Sequence, residues 1–462
     1  WVLWYWRRYL GRAGVIAAGV MMLLSPYMLY YGRYVRNESF VALFGVLTLY
    51  AVLRYLETGL PKYIYMLVAA TVLHFTVKET SYIYTLLLLV FLAGHLIAQI
   101  TRRSWPAAEN DFKGFIASLG VAALAFGSAV LMAAAKGKTT LDSGQHLSPA
   151  VPGQGASPLE PLSTGVSPVL LLALVGIAAL GVAIFLVIRG YGLENLRQER
   201  SFDLAMVIGT LILPLGAAFP MEWLSPYTQK WFGIPIAVPI EASDLNTFTI
   251  SSIVLMMILL AVIVAAAVWL GLLWNKKLWW KSALLFYSIF TVFYTTLFTN
   301  GGGFFTGLLG SLGYWIEQQG VERGSQPQYY YALIQVPVYE YLPALATIFA
   351  FIIGARRLKQ ARAQTDEVSV NLPNTFALLG WWSIGSLAAF SIAGERMPWL
   401  TVHITLPFIL FGGWAIGSVI ERVNWAELRR RNLWLVLALV IIFVLSVLGI
   451  FIALLGSPLP FS

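Results

Sequence analysis

Residues 249–298 read TISSIVLMMILLAVIVAAAVWLGLLW, then NKKLWWK, then SALLFYSIFTVFYTTLF. The first block carries no charge and is longer than the roughly 20 apolar residues that a helix needs to cross the hydrocarbon core of a bilayer. The middle block places Lys276, Lys277 and Lys281 close together, and the third is apolar again. Two membrane helices joined by a short basic turn account for this pattern. The apolar stretches are continuous rather than alternating, which excludes a membrane β-barrel.

The same pattern repeats on both sides. Hydropathy reasoning places about thirteen spans in the chain, near 13–31, 39–53, 63–77, 80–100, 114–135, 168–188, 203–220, 249–274, 282–298, 340–355, 373–393, 399–420 and 433–456. The composition agrees, with 59% hydrophobic and 11% charged residues. The expected fold is an all-α polytopic transmembrane helix bundle, one integral-membrane module over residues 1–462. Residues 1–12, WVLWYWRRYLGR, read as the end of an interfacial segment or of an earlier helix. Trp1 is an unusual first residue, so further sequence upstream is expected.

Basic residues set the orientation. Taking the connections alternately, 22 of the 30 Lys and Arg residues fall on the side of residues 1–12, and 8 on the other: Arg33, Arg36, Lys78, Lys136, Lys138, Lys230, Arg323 and Arg396. The positive-inside rule puts the richer side in the cytoplasm. The net charge of +9 is then a topology signal, and no nucleic-acid partner is implied. The chain has no cysteine, hence no disulfide and no thiolate chemistry. It also lacks an HExxH helix, a GxxxxGK[ST] loop and a dinucleotide fingerprint. His74 and His95 lie on or near apolar spans and read as interhelical hydrogen-bonding groups.

Three outside connections are long. Residues 136–167 are rich in Pro, Gly and Ser and are expected to form a mobile cover. Residues 221–248, with Pro226, Pro235, Pro239, Trp223 and Trp231, are expected to be an ordered loop on the membrane surface. In residues 299–339, Phe304, Phe305, Leu308, Leu309, Leu312 and Trp315 recur at near-helical spacing, which predicts an amphipathic helix in the interface.

Four polar clusters share this outer side, each abutting an apolar span where an unpaired ion is costly. Arg33, Arg36 and Glu38 lie in SPYMLYYGRYVRNESF, and Lys78 and Glu79 in FTVKETSYIY. Arg323, Gln326, Tyr329 and Tyr330 lie in VERGSQPQYYYAL, and Glu395, Arg396 and His403 in GERMPWLTVHITLP. Taken singly, each cation reads as an interfacial anchor or a helix cap. Gathered on the cation-poor side, Arg33, Arg36, Lys78, Arg323 and Arg396 suit anions approaching from outside. Tyrosine faces beside them suit a sugar ring or a lipid phosphate.

In this order the four clusters resemble those of the GT-C glycosyltransferases, which include the dolichyl-phosphate-mannose protein mannosyltransferases and the lipid A aminoarabinose transferases. The chain is most similar to the family labelled "flippase activity-associated" membrane proteins, over about residues 17–420. VKETSYI looks like its KE segment, VERGSQPQYYY its RGxQPxYYY segment, and GERMPWLTVHITLPFILFGGW its GE(K/R)MPWLxxH segment. Glu38 stands where that family more often has Asp. No segment here corresponds to the first outside loop that carries the catalytic carboxylates of GT-C enzymes.

The resemblance implies a sugar carried on a polyprenyl phosphate as donor, moved with inversion to an acceptor protein or glycolipid on the extracytoplasmic face of the plasma membrane. Glu38 and Glu79 are the candidate supporting catalytic groups, with the main base upstream of Trp1. Arg33, Arg36, Lys78, Arg323, Gln326, Tyr329, Tyr330, Glu395, Arg396 and His403 are the candidate substrate contacts. No cofactor is fixed, and a divalent cation, Mg or Mn, stays open. The partners implied are the lipid-linked sugar, membrane lipids and, through a larger membrane complex, other subunits. Rival readings are a lipid-linked sugar flippase and a non-catalytic subunit of such a complex.

Overall fold

The computed structural model describes residues 1–462 except 35, 104, 106–107, 143–167, 237, 240–243, 245–246, 320–325, 365–373, 395 and 456–462. Among the described residues the fold is helical, without strands. Its longer helices are α1 Arg7–Leu24, α2 Pro26–Arg33, α3 Glu38–Thr58, α4 Pro61–Val77 and α5 Ser81–Ile100. They continue with α6 Glu109–Asp142, α7 Pro168–Val187, α8 Arg200–Ile212, α9 Ala218–Phe232 and α10 Ile250–Tyr294. The last five are α11 Ser311–Gln319, α12 Tyr341–Gln364, α13 Asn374–Ile392, α14 Thr401–Ile420 and α15 Trp425–Leu455.

All thirteen expected apolar segments lie on these helices. By length and composition, nine helices among the described residues can cross a membrane, ten with the bent pair α1–α2. The difference has local causes. Helix α4 has 17 residues, about one turn less than a full crossing requires. Two expected spans merge into α10, which breaks at Asn275 with φ −157° and ψ 95°. There the Asn275 side chain accepts from Leu278 N at 3.1 Å and caps the second half. Trp274, before the break, bonds Asp203 at the start of α8, whereas Tyr294 at the far end reaches the Phe75 carbonyl near the end of α4. From the break onward α10 runs along α8, where Trp279 bonds Thr210 and Tyr287 bonds the Leu211 carbonyl. Helix α15 is not among the nine, because its described apolar stretch, Trp434–Ser446, is too short to cross.

The connections depart further from expectation. Residues 221–232 continue α9 as helix through Pro226, so the expected surface loop is shorter than the sequence suggests. Helix α6 runs to Asp142, and most of the expected cover, 143–167, lies outside the described residues. The amphipathic segment is helical, with a π turn over Thr306–Gly310. Its Leu308 and Leu309 are buried and Phe304 packs edge-on to Phe290 of α10. That apolar face meets other helices, because buried Gly303, Gly307 and Gly310 let it approach closely.

Helix α14 is the hub. Of the candidate spans it is the most buried, at 78%. It crosses α1 through glycines: a Cβ on Gly417 would run into the Leu10 carbonyl and the Gly14 backbone, and one on Gly413 would meet Gly14. Two helices without a hydrophobic driving force between them associate by such close packing. The α1–α2 bend of 66° is set at Ser25–Pro26, where proline removes a backbone donor and the Ser25 hydroxyl caps Met28 N at 3.1 Å. These contacts fix where the N-termini of α3, α5 and α14 meet the C-terminus of α4.

Candidate anion site at the Glu38 end of the bundle

Glu38 is the first residue of α3 and is 1% exposed. Its Oε1 accepts from Lys78 Nζ at 2.6 Å, and its Oε2 from Arg36 Nε at 3.3 Å. Beside this pair, Asn37 Nδ2 donates to the Val77 carbonyl at 2.9 Å, tying the start of α3 to the end of α4. The Arg36 guanidinium lies over the Trp399 ring, 4.0 Å from its centroid. Trp399 belongs to the 3-10 turn Pro398–Leu400 that leads into α14.

Two further contacts extend the assembly. Arg396 donates to the Gln326 carbonyl at 2.7 Å and to the Ser391 carbonyl at 3.2 Å. The Tyr331 hydroxyl donates to the Met397 carbonyl at 2.9 Å. The four sequence clusters are thus linked by direct contacts, first to second through Glu38–Lys78, first to fourth through Arg36–Trp399, and third to fourth through Arg396 and Tyr331.

Within that frame the candidate residues play different parts. Arg36, Glu38 and Lys78 meet. Glu79 is half-buried in the turn before α5, and Lys78 pairs with Glu38, 40 residues away, rather than with its neighbour. Arg33 ends α2, exposed, with no side-chain hydrogen bond or ion pair among the described residues. Arg396 holds two carbonyls, so it staples the chain at the site. Gln326 contributes its backbone carbonyl. Tyr329 is exposed, whereas Tyr330 is buried, and that burial pushes its phenol above the ordinary pKa. Arg323 and Glu395 lie outside the described residues.

His403 is fully buried within the bundle and makes no ion pair among the described residues. Its Nδ1 lies 3.2 Å from the Tyr84 hydroxyl and its ring stacks on Phe390. His95 makes the expected interhelical bonds, to Ser201 at 2.6 Å and Asn374 at 3.1 Å. His74 does not: its Nε2 is buried without a partner among the described residues, and its ring edge meets Tyr84. With Thr48, Thr71, Ser81, Tyr84 and Thr85 it lines a polar cavity about the size of one water. Glu340, which the sequence reading passed over, is fully buried and accepts from Ser25 Oγ at 2.7 Å and Tyr27 N at 3.0 Å, bracing the α1–α2 bend. The signal was available, since an ionisable residue at the edge of an apolar span demands a partner.

The electrostatics favour an anion. Helices α3, α5 and α14 all begin at this end, and none has a side-chain cap on its first turn. Helix N-termini carry partial positive charge and free N–H groups, and Arg36 and Lys78 add two cations against one carboxylate. Among the described residues no three His, Asp or Glu side chains gather as ligands, and Glu38 already faces two cations.

An all-helical, polytopic membrane bundle with a cationic site where helices begin is the class these features define. Residues 1–125 match the family model described as dolichyl-phosphate-mannose-protein mannosyltransferase. Over residues 1–125 the chain is thus similar to this GT-C type of membrane glycosyltransferase. The matched stretch contains Arg33, Arg36, Glu38, Lys78 and Glu79, and the Gln326 and Arg396 segments lie beyond it. No curated protein and no solved structure matches the chain.

Proposed function

We propose that this membrane protein is a glycosyltransferase that moves a sugar from a polyprenyl-phosphate donor to an acceptor protein or glycolipid, with inversion, on the extracytoplasmic face of the plasma membrane. The observation that carries the reading is the convergence of Arg36 and Lys78 on one buried carboxylate where three helices begin. As the acceptor hydroxyl attacks the anomeric carbon, the carbon–phosphate oxygen bond breaks and negative charge collects on the leaving lipid phosphate. Preorganised cations and helix N-termini stabilise that charge. On this reading Lys78 and Arg36 supply the cations, Arg33 reaches for the headgroup, and Glu79 orients the acceptor. The excess of basic residues on the opposite side supports the extracytoplasmic assignment.

The test is sugar transfer by purified protein in lipid nanodiscs from a polyprenyl-phosphate sugar. A charge-assisted hydrogen bond contributes about 1.5–3 kcal/mol, so Lys78→Met should slow transfer at least about tenfold. Movement of lipid-linked sugar across the bilayer without transfer would make the protein a transporter instead. Wild-type transfer by Lys78→Met would remove the anion site from the mechanism.

A further inference from the structure

The donors around Glu38 outnumber its acceptor atoms. Arg36 gives one N–H to the carboxylate, and its Nη groups make no hydrogen bond among the described residues. Lys78 gives one of its three N–H donors to Oε1. Asn37 turns its side chain to Val77 rather than capping α3. The carboxylate meets these donors with two coplanar oxygens, whereas a phosphate spreads its terminal oxygens tetrahedrally, and the leaving polyprenyl phosphate has three of them to accept with.

Resting on the phosphate-donor reading above, we propose that the Glu38 carboxylate is a resident counter-ion holding the place of the phosphate, displaced when the donor binds. A cation pair at a membrane boundary is costly without an anion, and Glu38 supplies one while the site is empty of substrate. The phosphate then takes over Lys78 and Arg36, and Glu38 swings clear of both. The cation pair thus faces an anion in both states, and Glu38 becomes an internal competitor of the substrate. A competitor lowers apparent affinity by the fraction of molecules whose cations are free.

This gives an inverted sign. Removing a substrate-binding or metal-binding carboxylate weakens binding, whereas removing a competing one tightens it. The experiment measures binding of a polyprenyl phosphate, and separately of inorganic phosphate, to the full chain in nanodiscs, as wild type, Glu38→Gln, Glu38→Asp and Lys78→Met. Glu38→Gln should bind polyprenyl phosphate roughly tenfold more tightly, as expected if about a tenth of wild-type molecules have free cations. Its thermal transition, lowered without ligand because Lys78 lacks a partner, should rise more on phosphate addition than that of wild type. Glu38→Asp, which holds Lys78 through a shorter side chain, should move the same way by less, and carries the test if Glu38→Gln does not fold.

If wild type binds, Lys78→Met binds less and the Glu38 variants bind equally or more weakly, the counter-ion inference is overturned and the phosphate reading stands. If wild type does not bind, or Lys78→Met changes nothing, the phosphate reading falls and takes this inference with it. An equal gain for inorganic phosphate supports the exchange but assigns the anion to free phosphate. A gain confined to the polyprenyl phosphate assigns it to the lipid headgroup.

Discussion

Helix α3 bears a carboxylate near each end, and each faces two cations. At its start, Glu38 is 1% exposed and meets Lys78 and Arg36. In its last turns, Glu57 has a side chain 34% exposed and meets Arg8, Arg54 and the Tyr9 hydroxyl. Glu38 gains from the positive end of the helix dipole, whereas Glu57 sits at the negative end and relies on its partners. Around Glu57 the donors are matched: Arg8 uses two nitrogens on it, Arg54 bonds both Glu57 and Tyr63, and Arg200 takes the Leu56 and Glu57 carbonyls. Around Glu38 donors are left over. Similar residues thus make a lock at one end and a receptive site at the other, and what separates them is burial and donor surplus.

The comparison breaks most visibly at Lys78. Lys78→Met leaves Glu38 buried beside only one long contact, and removing one member of a buried pair costs about 3–5 kcal/mol. A thermal unfolding scan should show that loss, and a scan matching wild type would mean that Glu38 is hydrated in solution.

A smaller effect is expected at the aromatic platform. The Arg36–Trp399 contact is of the kind that contributes roughly 0.5–2 kcal/mol. Trp399→Ala should weaken polyprenyl-phosphate binding by about two- to thirtyfold, with Trp399→Phe recovering part, as measured by titration. Unchanged affinity in Trp399→Ala would show that Arg36 needs no help in holding its place.

At the other end the losses should be slight. Glu57→Gln removes a partly exposed ion network, and such pairs contribute about 1 kcal/mol or less. Donor binding should not change, since Glu57 lies about 28 Å along the helix from Glu38, at 1.5 Å per residue. A clear loss of binding would mean that the two ends are coupled through α3.

Ionic strength gives the finest discrimination. Raising salt toward about 1 M shrinks the screening length to roughly 3 Å. The stability difference between wild type and Glu57→Gln should then fade, while that between wild type and Lys78→Met persists. Equal fading would place Glu38 in a solvent environment like that of Glu57.

Much of this molecule was legible before folding. Each apolar segment announced its helix because transfer into lipid is a property of local composition, and even the break at Asn275 was marked by the lysines that follow it. The site was legible as an inventory only. VRNE and VKE named Arg36, Glu38 and Lys78, but nothing local says that Lys78 faces Glu38 rather than Glu79. Arg396 was named from GERMPW, but its bonds to the Gln326 and Ser391 carbonyls were not. His403 looked like part of its cluster, yet two residues beyond Thr401 the helical turn carries it inward onto Tyr84. Glu340 drew no notice, because its partner Ser25 is 315 residues away.

The sequence by itself determined that the chain is a membrane helix bundle and which residue types gather at each boundary, since both follow from the free energy of placing each side chain in lipid or water. Only the tertiary structure decided which cation meets which carboxylate. That depends on the glycine crossing of α1 and α14 and on the bend at Ser25–Pro26, which set which helix ends come together. A pair interaction in low dielectric falls with a distance that no local pattern encodes, so the chemistry of Glu38 became readable only once Lys78 stood 2.6 Å from it.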